Sequence, residues 1–591
     1  MSAYSRSFGA RVMAPGRTRF RLWAPDAKAV DVEIEGVGSF ALKAEAEGWF
    51  EAELESGAGA QYRYRIDSDL VVPDPASDLQ AGDVHGASVV VDHAAFHWRN
   101  PGWKGRPWHE TVIYELHVGA LGGFAGVTAQ LQNLADLGVT AVELMPIAAF
   151  FGPHNWGYDG VLPYAPDNTY GTPVELKHLV DTAHGLGLMV FLDVVYNHFG
   201  PEGNYLATFA SGFYRHDRKT PWGDAIDFRR DEVRRFFIEN AIHWLQNYRF
   251  DGLRFDAVHA IGDDAFLMLM QDAIRRNAGA DRHVHLVLEN EVNDSAMLRA
   301  GANAPGYDGQ WADDFHHCVH VLLTGQRDAY YKDFAEAPQK LLARCLSEGF
   351  AYQGETSSHR GGPRGTPSAH LPSTCFVICL QNHDQIGNRA FGERLADLSH
   401  PRAMRAATAL VLLTPQIPLL FMGQEWAAST PFLYFSGYTN ELADAVANGR
   451  RKEFAKFDDF ADPQKRERIP DPNDADTFRS SIIDPAEMSQ KDHAAWLHLH
   501  RRLLKVRAAE ICPRLPGTTA IEGKPLGETG VRVQWKLGDG AILTVAVNLG
   551  AEPLPCAPVE GRLIFRTEDR IEPGILPGCT AEITILELSH A

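Results

Sequence analysis

The sequence predicts a multidomain α/β protein with a central (β/α)8 barrel of the TIM type, a β-sandwich before it and an antiparallel β domain after it. Three observations support this fold class. The chain of 591 residues is longer than a single hydrophobic core usually supports. Short runs that alternate apolar and polar residues occupy both ends of the chain. Between them, continuous apolar strands alternate with amphipathic helical patterns, which is typical of a parallel sheet.

The first predicted domain, residues 1–105, is a small antiparallel sandwich. Runs such as RFRLWAP, VDVEIEG and QYRYRID have a period of two and are separated by Gly, Pro and Asp turns. The stretch AAFHWRNPGWKGRPW, rich in Pro, Gly and Trp, is the predicted junction with the barrel. The last domain, residues 511–591, is predicted from the alternating runs VRVQWKL, AILTVAVNL and AEITILEL.

The barrel is predicted over residues 106–510. Seven segments are interpreted as the first to fifth, seventh and eighth strands, namely VIYELHV, AVELMPI, LMVFLDVVYNH, GLRFDAV, HLVLEN, STCFVICLQNHD and IPLLFMGQEW. Amphipathic helical patterns separate the first five. The irregular piece 199–228 lies between the third strand and its helix, so we expect a short insertion that overhangs the cleft.

Composition narrows the class of function. The net charge of −20 repels phosphate backbones and acidic lipid, which argues against nucleic acid or membrane partners and favours a neutral, polar substrate. The longest apolar stretch is broken by Pro415 and Pro418, and no signal-peptide core is recognised, so we expect a soluble cytoplasmic protein. The seven cysteines contain no CxxC pair and are interpreted as reduced core thiols.

Three acids in a fixed order carry the chemical interpretation: Asp256, Glu289 and Asp384, each at the end of a predicted strand. The C-terminal ends of barrel strands meet at one rim, so these side chains are expected to share a cleft. Cleavage of a glycosidic bond requires two such carboxyls, one as nucleophile and one as proton donor. Taken alone, each acid could equally be a surface residue or a helix cap, but the ordered set makes that reading improbable.

Roles follow from residue type and neighbours. Arg254 lies two residues before Asp256, so both face the same side of a strand and the guanidinium would keep the carboxylate ionised as nucleophile. Glu289 follows the apolar run LVL, which would raise its pKa and suit it to act as acid/base. Asp384, beside His383, is assigned to support of the transition state.

Other polar and aromatic residues are expected at the same rim. Asp193 and His198 end the third strand, and the loop FFGPHNWGYDG places Trp156 and Tyr158 where their rings could stack on a sugar. Core packing under the loop is a serious alternative for Trp156. The histidines show no HExxH spacing, so neither a zinc site nor any cofactor is expected.

The segments DVVYNH, GLRFDAVH, LENE and QNHDQ resemble, in order, the four signature segments of the α-amylase family of retaining glycoside hydrolases and transglycosylases. The resemblance covers essentially the whole chain and implies an immunoglobulin-like N-terminal domain. It implies that Tyr158, His198, Arg254 and His383 line the site of the attacked glucose, and that His259 faces the leaving group. Asn197 matches a position that often helps to bind calcium in the family, yet no further acidic cluster is present, so no required ion is expected.

Further segments resemble a subgroup that releases trehalose from trehalose-ended maltooligosaccharides; they are residues 73–92, 313–334, 381–395, 419–438 and 449–454. This resemblance implies hydrolysis of the α-1,4 bond next to the terminal trehalose. It also implies a functional pairing with the synthase that builds such substrates. Two alternatives stay open: a glycogen branching or debranching enzyme of the same family, and a catalytically dead glucan-binding protein.

Overall fold

The computed structural model describes residues 6–277, 282–301, 304–457, 460, 462–558, 560–568 and 572–587. Two antiparallel sheets come first in the chain, a closed eight-stranded parallel barrel follows, and an antiparallel sheet comes last. The predicted fold class, a TIM-type barrel flanked by β domains, is confirmed. None of the helices in the described ranges is long and apolar enough to cross a membrane. All seven cysteines are free and buried.

Ten short strands form the N-terminal sheets: β1 (Arg11–Ala14), β2 (Arg17–Trp23), β3 (Val30–Ile34), β4 (Gly38–Ala41), β5 (Lys43–Ala44), β6 (Trp49–Glu55), β7 (Gln61–Ile66), β8 (Leu70–Val72), β9 (Gln80–Ala81) and β10 (Ala87–Val89). One sheet has the order β1-β2-β6-β5, and the other has the order β4-β3-β7-β10-β9 with β8 beside β7. The period of two places alternate residues inward, and the rings of Phe20 and Tyr62 meet between the sheets at 4.9 Å.

The middle of the chain contains fourteen strands among the described residues: β11 (Ile113–Leu116), β12 (Ala141–Leu144), β13 (Ala148–Ala149), β14 (Leu162–Pro166), β15 (Met189–Val194), β16 (Tyr214–Thr220), β17 (Gly223–Ile226), β18 (Gly252–Phe255), β19 (His285–Leu288), β20 (Gly309–Trp311), β21 (Thr356–Ser357), β22 (Gly362–Pro363), β23 (Phe376–Cys379) and β24 (Ile417–Phe421). The barrel has the order β11-β12-β15-β18-β19-β20-β23-β24 and closes where β11 pairs with β24. The other strands form two-stranded hairpins.

Helices cover the barrel or lie in its loops: α1 (Gly123–Leu137), α2 (Pro173–Gly185), α3 (Leu206–Phe209), α4 (Asp231–Asn247), α5 (Val258–Ile261), α6 (Asp264–Asn277), α7 (Asp313–Thr324), α8 (Pro338–Glu348), α9 (His383–Gly387), α10 (Leu395–Leu398), α11 (Pro401–Leu412), α12 (Asn440–Glu453), α13 (Pro463–Arg466), α14 (Ala475–Arg479) and α15 (Lys491–Val506). Capping residues in the local sequence determine where several of these helices begin. Helix α2, for example, begins with a capping box between Thr172 and Glu175, with Pro173 in its first turn.

The sixth barrel strand, β20, is the strand that the sequence pattern does not mark. It has three residues and begins with Gly309. A Cβ atom at Gly309 would lie 2.8 Å from the Trp108 ring, so the packing leaves no room for a larger side chain. A three-residue segment that starts with glycine gives no apolar run, which explains why it was missed.

Two further parts of the chain complete the described structure. The segment 199–228 contains helix α3 and the hairpin β16–β17, and it precedes α4. The C-terminal strands are β25 (Thr519–Leu526), β26 (Gly530–Lys536), β27 (Ile542–Asn548), β28 (Leu554–Pro555), β29 (Arg562–Arg566), β30 (Ile575–Leu576) and β31 (Thr580–Leu586). They form the antiparallel sheet β25-β26-β27-β31-β29 and the pair β28-β30.

Candidate active site

Arg254 lies at the centre of the candidate site, in strand β18, and is fully buried. Its Nη1 donates to Asp193 Oδ2 at 2.6 Å and to Asp256 Oδ1 at 2.9 Å, and its Nη2 donates to Glu289 Oε2 at 2.9 Å. Three neighbouring strands, β15, β18 and β19, therefore bring three carboxylates to one guanidinium. Charge-assisted bonds of this kind are short and strong and hold a carboxyl in position.

Asp256 directly follows β18 and accepts a second strong hydrogen bond. The Asn197 side-chain amide donates to Asp256 Oδ2 at 2.8 Å and to its backbone carbonyl at 3.0 Å. Burial opposes the charged form, but the nearby charge of Arg254 and these bonds outweigh it and lower the pKa of Asp256. An ionised carboxylate is the form that can attack an anomeric carbon. The Asn197 amide, considered above as a calcium-ligand position, is thus bonded to Asp256.

Glu289 directly follows β19 and has the opposite electrostatic tendency. Its Oε2 accepts from the Ala257 N–H at 2.8 Å, and Ala257 has a left-handed φ of 41°. Burial and the negative charges of Asp256 and Asp384 raise the pKa of Glu289 well above its usual value, although Arg254 acts against this. A carboxyl that keeps its proton near neutral pH is suited to donate it to a leaving group.

Asp384 and His383 lie at the start of α9, after strand β23. The Asp384 side chain is 41% exposed; its Oδ1 accepts from Asn388 at 3.1 Å and lies 3.5 Å from His383 Nε2. On the other side of its ring, His383 Nδ1 lies 2.5 Å from Oε1 of Glu115 in β11. Glu115 was not among the site residues predicted from the sequence. Its only signal is a charged residue inside a strand that is otherwise apolar.

Tyr158 contacts both Asp193 and His383. Its hydroxyl donates to Asp193 Oδ2 at 2.6 Å, and its ring stacks on His383 with centroids 5.0 Å apart. Asp193 is 2% exposed, and its Oδ2 accepts hydrogen bonds from both Arg254 and Tyr158. Trp156 is also buried, and its Nε1–H donates to a backbone carbonyl at 2.9 Å. This placement favours the core-packing interpretation of Trp156.

The hairpin β16–β17 contributes an aromatic residue that the sequence analysis did not single out. Trp222, in the turn of this hairpin, is 47% exposed and lies parallel to the buried His198 ring at 4.4 Å. Burial lowers the pKa of His198, which favours its neutral form and therefore an uncharged stacking partner. A half-exposed indole above a histidine is a surface on which the apolar face of a sugar can stack.

His259 lies on α5, one turn after Asp256. Near it are Glu291 and Arg360, which form an ion pair. Burial lowers the pKa of His259, although the nearby charges of Glu291 and Asp256 act in the opposite direction. The predicted leaving-group side therefore has a mixed charge, with the Glu291–Arg360 ion pair close to His259.

One group of described residues has a spacing that could suit a metal ion: Asp78, His93 and His243, whose candidate ligand atoms lie within 4.8 Å of one another. The contacts of these atoms argue against that use. Arg6 donates to both carboxylate oxygens of Asp78, at 2.6 and 2.9 Å. His243 Nε2 lies 3.1 Å from the Tyr164 carbonyl, which only accepts, so this nitrogen carries the proton. We interpret the group as a polar contact between α4 and the N-terminal part of the chain, built around the Arg6–Asp78 ion pair.

Comparisons with known families agree with this architecture. A model of the α-amylase catalytic domain matches residues 83–224, and a model of a domain of unknown function matches residues 519–582. The first match ends before Asp256, so it covers the early barrel strands and part of the hairpin β16–β17, and does not reach the three predicted catalytic acids.

Relatives of similar length decide the family. The malto-oligosyltrehalose trehalohydrolase of Deinococcus radiodurans is 41% identical over 94% of this chain and 92% of its own length. The chain belongs to the malto-oligosyltrehalose trehalohydrolase family. It is therefore a glycoside hydrolase of the α-amylase type. Trehalohydrolases of Saccharolobus solfataricus and Mycobacterium tuberculosis are 38% and 35% identical, over 85% and 93% of this chain and 87% and 96% of their own lengths.

Solved structures show how widely the trehalohydrolase-family fold is shared. A Salmonella typhimurium protein provisionally assigned as an α-amylase superposes with a TM-score of 0.94 at 41% identity, over 99% of this chain and 100% of that one. A pullulanase from an Anoxybacillus species superposes with a TM-score of 0.70 at 18% identity, over 99% and 88%. The second likeness is one of fold alone.

Proposed function

We propose that the protein is a retaining glycoside hydrolase that cleaves the α-1,4 glucosidic bond next to the terminal trehalose of maltooligosyltrehalose. The products are trehalose and a maltooligosaccharide. The observation that carries this proposal is the bridge from Arg254 to Asp256 and Glu289, in a chain of the trehalohydrolase family. One cation holds two carboxyls whose pKa values move in opposite directions, which is the division of labour that a double displacement needs.

The first chemical step uses both carboxyls. Glu289 gives its proton to the glycosidic oxygen as that bond breaks, and an oxygen of ionised Asp256 forms an ester with the anomeric carbon. Ionised Glu289 then takes a proton from water, and the water oxygen displaces Asp256 and restores both side chains. The configuration of the anomeric carbon is inverted twice and so retained. This mechanism requires the two carboxyls to stand about 5 to 5.5 Å apart.

The remaining residues of the site support the glucosyl ring. Asp384, beside His383, is proposed to bind sugar hydroxyls more strongly as positive charge develops on the ring. Tyr158, His198 and Arg254 are proposed to line the same subsite, with His259 on the leaving-group side. No required metal ion or cofactor enters the proposed mechanism.

The proposed substrate is a neutral glucan, which suits a protein with a net charge of −20. We propose no nucleic acid or membrane partner. A functional pairing with a maltooligosyltrehalose synthase would supply the trehalose-ended substrate. We place the protein in the cytoplasm, and its seven free, buried cysteines support a reducing compartment.

The decisive experiment supplies trehalose-capped maltoheptaose and, separately, plain amylose. Free trehalose from the capped substrate, with the new reducing end first appearing as the α-anomer, is the expected result. New α-1,6 branches in amylose would instead support a branching enzyme of the same family. No trehalose from the capped substrate would overturn the proposal.

Substitution of Asp256 by Asn separates a catalyst from a glucan-binding protein without activity. The amide cannot form the glycosyl ester, so we expect kcat to fall by at least about 10⁴-fold while binding of the capped glucan persists. Product release is followed by chromatography, and binding by calorimetry. Asp92→Asn, at a half-buried cap of the short helix His93–Ala95 outside the barrel, is the matched control and should keep wild-type turnover.

A further inference from the structure

Glu115 makes contacts with His383 that the mechanism above does not use. His383 Nδ1 lies 2.5 Å from Glu115 Oε1, and the backbone N–H of His383 donates to Glu115 Oε2 at 3.1 Å. Both side chains are buried, with 1% and 2% of their surface exposed. A carboxylate that accepts from ring and backbone of the same residue fixes the ring orientation as well as its proton.

The ring of His383 is held in place on its other sides. Tyr158 stacks on it at 5.0 Å, and Trp156 meets it edge-on at 5.4 Å. Its Nδ1 is bonded to Glu115, and its Nε2 lies at the rim of the barrel, 3.5 Å from Asp384 Oδ1. The packing therefore leaves one ring nitrogen for the site and assigns the other to Glu115.

A second buried acid offers an internal comparison. Glu143, in β12, is the register partner of Glu115 and is also 1% exposed. Within the described chain, neither of its carboxyl oxygens has a hydrogen-bond partner. Burial and the charges of Glu115 and Asp193 raise the pKa of Glu143 well above its usual value, which favours its neutral form. Of the two neighbouring acids, Glu115 is the one that has a cationic partner.

We propose that Glu115 is a positioning residue that fixes a proton on His383 Nδ1, so that the second proton, on Nε2, is a permanent donor toward the sugar. A neutral imidazole has a single N–H, and Glu115 would hold it at Nδ1, which would leave Nε2 as an acceptor. The doubly protonated ring donates on both sides. The role in catalysis rests on the proposed function, whereas the protonation of His383 does not.

Several charged or titratable groups face His383 from the elements around it. Glu115 and Asp384 favour its charged form, and burial and Arg254 oppose it, with a net rise of the His383 pKa to about 9. The groups that face the ring are Glu115, Glu143, His117, Tyr158, Arg254 and Asp384. His117 is neutral, because burial lowers its pKa to about 4. The rise of the His383 pKa therefore depends chiefly on Glu115.

The first test measures protonation directly, in the free protein. Nitrogen-15 NMR of labelled histidines, with His383→Gln to identify the signals, reports whether both ring nitrogens carry protons. We expect both to be protonated at pH 7.5 in the wild type, and only one in Glu115→Gln. Glu143→Gln, which replaces an acid that has no hydrogen-bond partner in the described chain, should leave the His383 signals unchanged. A wild-type His383 that titrates near 6.5 would overturn the proposal, even if Glu115→Gln failed to fold.

The second test follows the pH dependence of kcat/KM on whichever glucan the protein cleaves. Glu115→Gln should lose about 10- to 100-fold at pH 8 and much less at pH 5.5, where solution protonates the imidazole. A residue that only packs would lose the same factor at both pH values, and that result would refute the positioning role. If trehalose-capped glucan is not cleaved at all, the proposed function fails while the NMR result on His383 still stands.

Discussion

At the scale of single residues, the neighbours of each carboxyl decide its protonation. Asp256 and Glu289 share Arg254, yet their pKa values move in opposite directions. Asp256 also has the Asn197 amide, which favours its charged form, whereas Glu289 faces two other acids. Two carboxyls that share one cation therefore favour different protonation states, as the proposed nucleophile and the proposed proton donor require.

The His383–Glu115 pair predicts a pH dependence of stability. The folded-state pKa of His383, about 9, lies above its ordinary value of 6.5, so the charged form stabilises the fold below pH 6.5. This stabilisation, about 3 kcal/mol, should be lost as the pH rises through 9. The difference in melting temperature between wild type and His383→Gln, measured by calorimetry, should therefore shrink between pH 6 and pH 10. The exposed His370→Gln is the control, and a pH-independent difference for His383→Gln would contradict the prediction.

At the scale of elements, the C-terminal ends of the barrel strands position the chemistry, and one hairpin adds to it. Strands β15, β18 and β19 are neighbours, so the residues that follow them meet without any long-range loop. The hairpin β16–β17 instead reaches the site from an insertion, and it brings Trp222 over His198. The strands position the carboxyls that we propose as catalytic, whereas the hairpin adds a half-exposed aromatic surface beside His198.

Trp222→Ala tests the contribution of that hairpin. Loss of a half-exposed stacking surface should cost about 1 kcal/mol of glucan binding, so KM should rise about 3- to 10-fold with kcat largely kept. Steady-state kinetics on the capped glucan measures both constants. Leu563→Ala, a similarly exposed apolar residue on the C-terminal sheet, should leave both unchanged. A fall in kcat with KM unchanged would show that Trp222 acts on the chemical step instead.

At the scale of the whole molecule, a buried ion pair within the N-terminal part of the chain lies against the barrel. Arg6 donates to both oxygens of Asp78, and Glu239 of helix α4 accepts from the backbone N–H of Ser7 at 2.7 Å. Arg6 also stands over the ring of Tyr164, at 5.0 Å from its centroid. The N-terminal part and the barrel are thus joined by a hydrogen bond and a cation–π contact, and by packing of Phe8 on Phe236.

Asp78→Asn tests whether this joint matters for stability. Breaking a buried pair leaves the Arg6 charge without its partner, which typically costs about 3 to 5 kcal/mol. We expect a clear fall in melting temperature, measured by differential scanning calorimetry, with kcat on the capped glucan kept below the transition. Glu53→Gln removes a partner of the exposed Arg17 and should change the melting temperature little. Equal effects of the two substitutions would contradict the prediction.

Local patterns in the sequence were sufficient for much of this protein. Period-two runs predicted the flanking sheets, and apolar runs between amphipathic helices predicted seven barrel strands, because those periods are properties of strands and helices themselves. Because Asp256, Glu289 and Asp384 each follow such a run, their side chains were predicted to meet at one rim of the barrel. Arg254, two residues before Asp256, was predicted to face it because alternate residues share one face of a strand, and its Nη1 does donate to Asp256.

Tertiary structure alone decided what depends on distant contacts. Glu115 lies 268 residues from His383 in the chain, and only closure of the barrel between β11 and β24 brings their strands together. Strand β20 is defined by its neighbours and by the Trp108 ring over Gly309, with no apolar run of its own. Likewise, nothing in the local sequence distinguishes Trp222 from an ordinary exposed residue, and only the fold places it over His198. A sequence records which groups are available, whereas their pKa values and partners depend on the burial and charge that folding creates.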